Sequence, residues 1–189
     1  MNRAEQILIK VDALLSGHFL YTSGKHGDLY MQCAKVLQHP EYTEELAKII
    51  AQGFEEKVDI VLAPAIGGIV WGYELARALG AKSIFAERED GKMTLRRNFE
   101  IPRGARIVVA EDVITTGGTV AEIIEIVKEK GAVPVGVGVI VDRSGGKIQL
   151  GAKIIAALSK EIQAYDPEEC PLCKRGEPIT KPGSRNAVL

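Results

Sequence analysis

The sequence predicts an α/β domain built on a central parallel sheet flanked by helices, and three observations predict it. Short runs rich in β-branched residues recur at 58–63 (VDIVLA), 82–86 (KSIFA), 106–110 (RIVVA), 135–141 (VGVGVIV) and 153–158 (KIIAAL). Segments of helical period lie between or before them, near 42–55, 68–80 and 118–130. Alternation of this kind closes into a parallel sheet with crossover helices on its faces. Finally, 189 residues with 46% apolar content suffice for one compact domain with a sizeable core.

Taken in order, the N-terminal stretch MNRAEQILIKVDALLSG keeps Ile7, Val11, Leu14 and Leu15 at helical spacing and predicts an amphipathic helix. It lacks the basic start, apolar centre and small-residue cleavage site of a targeting peptide. The most apolar run, 61–72, is broken by Pro64, Gly67 and Gly68 and is too short for a bilayer. Three cysteines, Cys33, Cys170 and Cys173, are too few for a disulfide scaffold. These features predict a soluble, cytoplasmic protein. The formal charge of -1 supplies no global attraction to nucleic acid or an anionic membrane, so any anion site must be local.

In an open parallel sheet, ligands bind beyond the carboxyl ends of the strands. The third strand runs into EDVITTGGTV, residues 111–120. Backbone N–H groups of Thr115, Thr116, Gly117, Gly118 and Thr119, at the start of the helix that ends near Lys130, suit a phosphate, and the two glycines let it approach closely. Glu111 and Asp112 repel a phosphate but accept hydrogen bonds from adjacent sugar hydroxyls. Acids and Thr/Gly turn together point to a ribose 5-phosphate. The first strand is followed by Ala65, Ile66, Gly67 and Gly68, small enough for a second anion-cradling loop. Neither a P-loop nor a strand-linked GxGxxG is present in the sequence.

Residues 86–106 carry Arg88, Lys92, Arg96, Arg97, Arg103 and Arg106 around a Glu-Asp-Gly turn and read as a mobile basic hairpin, with Arg88 and Lys92 flanking the turn. VDRSGG, 141–146, sets Arg143 at the same crevice, where a guanidinium can grip a carboxylate bidentately. FLYTSGKHGDLYMQCAKV, 19–36, places a Ser-Gly turn, Lys25 and Tyr30 upstream of the sheet. In the tail, Pro167, Pro171, Pro178, Pro182, Gly176 and Gly183 break any period. Its CPLC pair offers two metal ligands where a structural zinc takes four, and His18, His26 and His39 have no spacing that partners it. A turn with two buried thiols is the expectation, with four sulfurs from two chains at a dimer axis as the alternative. The basic KPGSR end is a candidate for folding back towards a substrate.

The acid pair with its Thr/Gly loop closely resembles the phosphoribosyl diphosphate motif of the type I phosphoribosyltransferases, and the resemblance extends over most of the chain. It implies the type I fold: a phosphoribosyltransferase domain over 1–165, an N-terminal hood over about 1–40 within it, and an irregular arm at 166–189. It also implies that Glu111 and Asp112 face ribose hydroxyls, that Thr115, Thr116, Gly117, Gly118 and Thr119 hold the 5-phosphate, that Val113 and Ile114 belong to the same phosphoribosyl-diphosphate-binding run, and that 65–68 form the diphosphate loop. The SGK turn followed by an aromatic, and the Arg after the fourth strand, are similar to the orotate phosphoribosyltransferases. By that likeness Thr115 and Arg143 contact orotate, Tyr30 lines its ring and Lys25 adds charge. Arg88 and Lys92 become cations of a lid over the departing diphosphate, often serving the partner subunit of a homodimer, with magnesium held through the substrates. Thr22 and Gly67 stand where the enterobacterial form has lysines, and the pattern is closer to a group with a Cys-Pro-Leu-Cys tail. The implied function is phosphoribosyl transfer to orotate in pyrimidine biosynthesis. A purine phosphoribosyltransferase and a phosphoribosyl-diphosphate-sensing regulator of the same fold are the alternatives.

Overall fold

The computed structural model describes residues 1–182 of the chain. Helix α1, Arg3–Lys10, starts where the Asn2 side chain accepts from the Glu5 N–H at 2.8 Å, an N-cap. It stops earlier than the apolar spacing predicts. Asp12 takes a positive φ of 56°, and the Ala13 N–H returns to the Leu8 carbonyl at 2.8 Å. Leu14 and Leu15 therefore open strand β1, Leu14–Leu20, which pairs antiparallel with β2, His26–Met31.

A single turn, α2 (Ala34–Leu37), leads to α3 (Pro40–Ala51), whose first-turn proline has no amide to leave unsatisfied. Next come β3 (Ile60–Pro64), α4 (Gly67–Leu79), β4 (Lys82–Glu89) and β5 (Lys92–Leu95). The second half holds β6 (Arg106–Ile114), α5 (Gly118–Glu129), β7 (Val133–Asp142), β8 (Ile154–Ser159) and a single turn α6 (Pro171–Lys174).

The main sheet has the order β5-β4-β3-β6-β7-β8 and is parallel except for β5, which pairs antiparallel with β4. Alternate residues of the central strands feed two cores. Val61, Ala63, Val108 and Ala110 face α1 to α4, while Ile60, Leu62, Ile107 and Val109 face α5 and the hairpin. Helix α4 lies close on its face because a Cβ at Gly72 would stand only 2.6 Å from the Ala63 Cβ. The buried Trp71 indole locks the same helix by donating to the Gly138 carbonyl at 3.0 Å.

The basic segment differs from a free lid. Asp90 and Gly91 both have positive φ, 48° and 82°, as a two-residue hairpin turn demands, and Glu89 pairs directly with Lys92. Met93, Leu95 and Phe99 pack against the core beneath α5. Most of its cations are engaged: Arg88 with Glu122, Arg96 with Glu89, Arg97 with Glu87 and Arg106 with Glu56. Among the described residues Lys92 has no ion pair.

Candidate active site

Connection order reverses between β3 and β6: the chain leaves β3 towards β4 on one side and returns to β6 on the other. At such a switch point the two following loops diverge and leave a crevice at the carboxyl ends. The loop after β3 and the end of β6 meet there. A Cβ at Gly67 would lie 3.9 Å from Asp112 Oδ2, which puts the 65–68 loop beside the acid pair.

The acids sit within the last part of β6 rather than after it, because β6 stays paired to β7 as far as Ile114–Asp142. Their backbone is held by that pairing, and Cys33 Sγ contacts the Asp112 carbonyl at 3.6 Å from below. Burial and the neighbouring Asp112 push the Glu111 carboxyl up to about 8. Burial raises Asp112 as well, against hydrogen bonds from Glu111 and the Val113 amide that act to lower it. Both carboxyls therefore hold a proton more tightly than an exposed carboxyl does.

Beyond them, Glu111, Val113, Ile114 and Thr115 through Val120 line a cavity of about 220 Å³. Gly117 caps α5 with φ 79°, so this turn is formed by backbone alone, and its amides face the cavity end of a twelve-residue helix.

A second cavity of about 560 Å³ opens between the β1–β2 hairpin and β7. Its wall includes Tyr21, Thr22, Ser23, Tyr30, Thr115, Arg143 and Lys181. Thr115 belongs to both cavities, so a ligand can run from one into the other. Arg143 is fixed from its backbone: its N–H donates to the Ile114 carbonyl at 2.9 Å, and Asp142 braces the turn by accepting from Ser144 N, Ser144 Oγ, Gly146 N and Ser159 Oγ. Burial alone would raise Asp142, but these hydrogen bonds hold it below its ordinary value. The Arg143 guanidinium stacks 5.5 Å from the Tyr21 ring centroid. Its Nε is buried with no hydrogen-bond partner among the described residues, a donor in want of an acceptor.

The structure thus brings together Glu111, Asp112, the 113–119 loop, Gly67, Tyr30, Thr115 and Arg143. Lys25 is placed elsewhere: it does not line the cavity, and its ammonium rests on Asp166 at 3.2 Å. Arg88 is bound to Glu122 instead of projecting free. Sequence reasoning passed over Tyr21, two residues before the Ser-Gly turn it singled out. Lys181 joins the wall from the basic end of the tail, while residues 183–189 of that end lie outside the described residues.

The family model described as "Phosphoribosyl transferase domain" matches residues 33–162. Orotate phosphoribosyltransferase of Desulforamulus reducens is 55% identical over 188 residues, covering 98% of each chain. That of Chlorobium phaeobacteroides is 58% identical over 174 residues, 92% of this chain and 90% of the relative. Among solved structures, orotate phosphoribosyltransferase from Aeropyrum pernix superposes with a TM-score of 0.70 at 25% identity over 82% of this chain and 92% of that one. Adenine phosphoribosyltransferase from Thermoanaerobacter pseudethanolicus shares the fold with a TM-score of 0.67 at 18% identity over 82% and 99%. With a family model matching residues 33–162 and near full-length relatives at 55% and 58% identity, the chain belongs to the type I phosphoribosyltransferases, among the orotate phosphoribosyltransferases.

Proposed function

We propose that this chain transfers the phosphoribosyl group of 5-phosphoribosyl 1-diphosphate to N1 of orotate, giving orotidine 5-phosphate and diphosphate. The observation that carries the choice of base is Arg143, whose guanidinium lines the cavity that shares Thr115 with the phosphate cradle. Orotate carries a carboxylate that satisfies such a donor; adenine, hypoxanthine and xanthine carry none.

In this reading the 5-phosphate lies on the amides of Thr115 through Thr119, the ribose hydroxyls donate to Glu111 and Asp112, and the diphosphate reaches the 65–68 loop. Tyr30 and Tyr21 flank the pyrimidine, and Lys181 adds a cation to its pocket. The C1–O bond breaks with its electron pair leaving on the diphosphate, the N1–C1 bond forms, and the N1 proton passes to solvent. Because the transition state has oxocarbenium character, the chain's task is to orient two anions, exclude water and meet the charge on the leaving group. Lys92, free of ion pairs among the described residues, is the hairpin cation assigned to that last role, with Arg88 joining it on release from Glu122. Magnesium fits as a companion of the substrate: adjacent half-buried carboxylates beside the diphosphate loop accept hydroxyls or waters of a hydrated ion. When bound it neutralises diphosphate charge.

A homodimer completes the proposal. Ile66, Val70 and Tyr73 project from one side of the α4 start at 86%, 53% and 65% exposure, an apolar stripe continuous with the diphosphate loop. Incubation with orotate, magnesium and phosphoribosyl diphosphate, followed by mass spectrometry, tests the reaction: orotidine 5-phosphate and diphosphate in equal amounts are expected. Hydrolysis of the donor without the nucleotide product would contradict it.

A further inference from the structure

The tail cysteines sit on a single helical turn, Cys170 buried and Cys173 exposed, and both meet histidines of the same chain. His18 from β1, His26 from β2, and Cys170 and Cys173 at the start of α6 converge within one chain, with one ligating atom of each lying within 4.8 Å of the others. His18 Nε2 stands 3.1 Å from His26 Nδ1, 3.6 Å from Cys170 Sγ and 3.7 Å from Cys173 Sγ, and Cys173 Sγ is 3.2 Å from His26 Nδ1. A zinc ion bound at about 2.3 Å to sulfur and about 2.0–2.1 Å to nitrogen with tetrahedral angles puts its ligand atoms roughly 3.3–3.8 Å apart. The observed separations cluster around that range.

Orientation supports the same conclusion. The His18 Nδ1 lies 2.8 Å from the Glu177 carbonyl, which can only accept, so Nδ1 carries the proton and Nε2 turns its lone pair to the two sulfurs. His18, His26 and Cys170 are buried, and Cys173 forms the solvent edge by which an ion enters. Two thiolates and two neutral imidazoles balance a divalent charge, so a filled site is neutral inside an otherwise buried pocket. Four protein ligands leave no open coordination position, which marks a structural rather than a catalytic centre.

We propose that His18, His26, Cys170 and Cys173 form an intrachain Cys2His2 site for one zinc ion. Its place in the fold gives its role. The tail brackets the hairpin on both sides of the cluster: Tyr165 exchanges backbone hydrogen bonds with His26 at 2.8 and 2.9 Å, and Thr180 bonds His18 and Leu20 at 2.8 and 2.9 Å. Lys181, the next residue, lines the larger cavity with Tyr21 and Tyr30. The ion clamps tail to hairpin and so fixes one wall of that cavity.

Metal analysis of untagged protein, purified under reducing conditions and desalted after exposure to zinc, is expected to give one zinc per chain. Cobalt substitution should produce the intense visible bands of a tetrahedral ion with a thiolate charge-transfer band. Cys173→Ser, at the exposed edge where folding is least threatened, should bind at least about 100-fold more weakly, and His26→Asn should do likewise. His39→Ala, away from the cluster, should keep full stoichiometry. Chelation should speed hydrogen exchange in the segment 165–182 and in β1, a readout independent of any turnover. Substoichiometric zinc in the folded parent protein, a Cys170–Cys173 disulfide that persists under reducing conditions, or full zinc in the Cys173→Ser variant would overturn the proposal.

Discussion

The Arg88 guanidinium holds both carboxylate oxygens of Glu122, at 2.9 and 3.2 Å, and also donates to the Gly91 carbonyl at 2.5 Å. One side chain thus ties the turn of the basic hairpin to α5, the helix whose first residues form the phosphate cradle. In the proposed reaction the diphosphate competes with Glu122 for Arg88. Glu122→Gln is therefore expected to lower the KM for phosphoribosyl diphosphate a few-fold, since the pair is solvent-exposed and weakly held. Lys92→Ala, which removes a cation with no such competitor, should cost about 10²- to 10³-fold in kcat. Steady-state kinetics on both variants checks this, and unchanged turnover for Lys92→Ala would return that lysine to the surface.

Arg143 should divide the two substrates. Arg143→Ala removes the donor that meets the carboxylate and is expected to raise the KM for orotate by about 10- to 100-fold, the range lost with a charged hydrogen bond of about 1.5–3 kcal/mol. The KM for phosphoribosyl diphosphate should stay near the parent value. Equal effects on both would show that Arg143 braces the site as a whole.

The acid pair makes donor binding pH-dependent. Glu111, pushed to about 8, is protonated in the empty site at pH 7, whereas ribose hydroxyls favour its ionised form. Binding of magnesium and phosphoribosyl diphosphate should release protons below pH 8, which calorimetry in buffers of different ionisation enthalpy detects. The same shift fixes the sign for stability. A carboxyl with its folded value raised stabilises the fold fully below the ordinary range near 4.5 and loses that contribution as pH rises through about 8. Glu111→Gln should thus raise Tm at pH 8.5 by roughly 3 °C or more, the shift expected for about 1 kcal/mol in a chain of this size, and much less at pH 5. Its donor binding should fall at the same time.

The α4 stripe predicts assembly. Tyr73→Asp, at the far end of the exposed apolar stripe, should turn a dimer into a monomer in light scattering with the fold intact by circular dichroism. A parent protein that is already monomeric would remove the dimer from the account.

Legibility in the sequence followed physical range. The central strands β3, β6 and β7 carry long runs buried on both faces, so their apolar stretches stand out without context. The EDVITTGGTV cradle is contiguous and its chemistry is local. By contrast α1 ends at Lys10 because Asp12 turns the chain, and the helical spacing of Leu14 and Leu15 says nothing of that. Strand β5, KMTL, is short, and its pairing partner β4 supplies the reason it is a strand at all. Lys25 and Arg88 read as free cations because the acids that hold them, Asp166 and Glu122, lie 141 and 34 residues away. The metal cluster was hidden in the same way. Each pair of ligands is incomplete alone, and Cys170 lies 152 positions from His18. No spacing rule spans that distance; the isolated backbone bridges from Tyr165 and Thr180 to the hairpin do.

The central claim is the pairing of a phosphoribosyl cradle with a carboxylate-reading pocket, and a base panel tests it most directly. With magnesium and phosphoribosyl diphosphate, orotate, uracil, adenine, hypoxanthine and xanthine are offered separately and followed by ultraviolet absorbance. Loss of the orotate absorbance alone is predicted; turnover of a purine or of uracil with orotate left intact would contradict the role given to Arg143 and, with it, the account of this site.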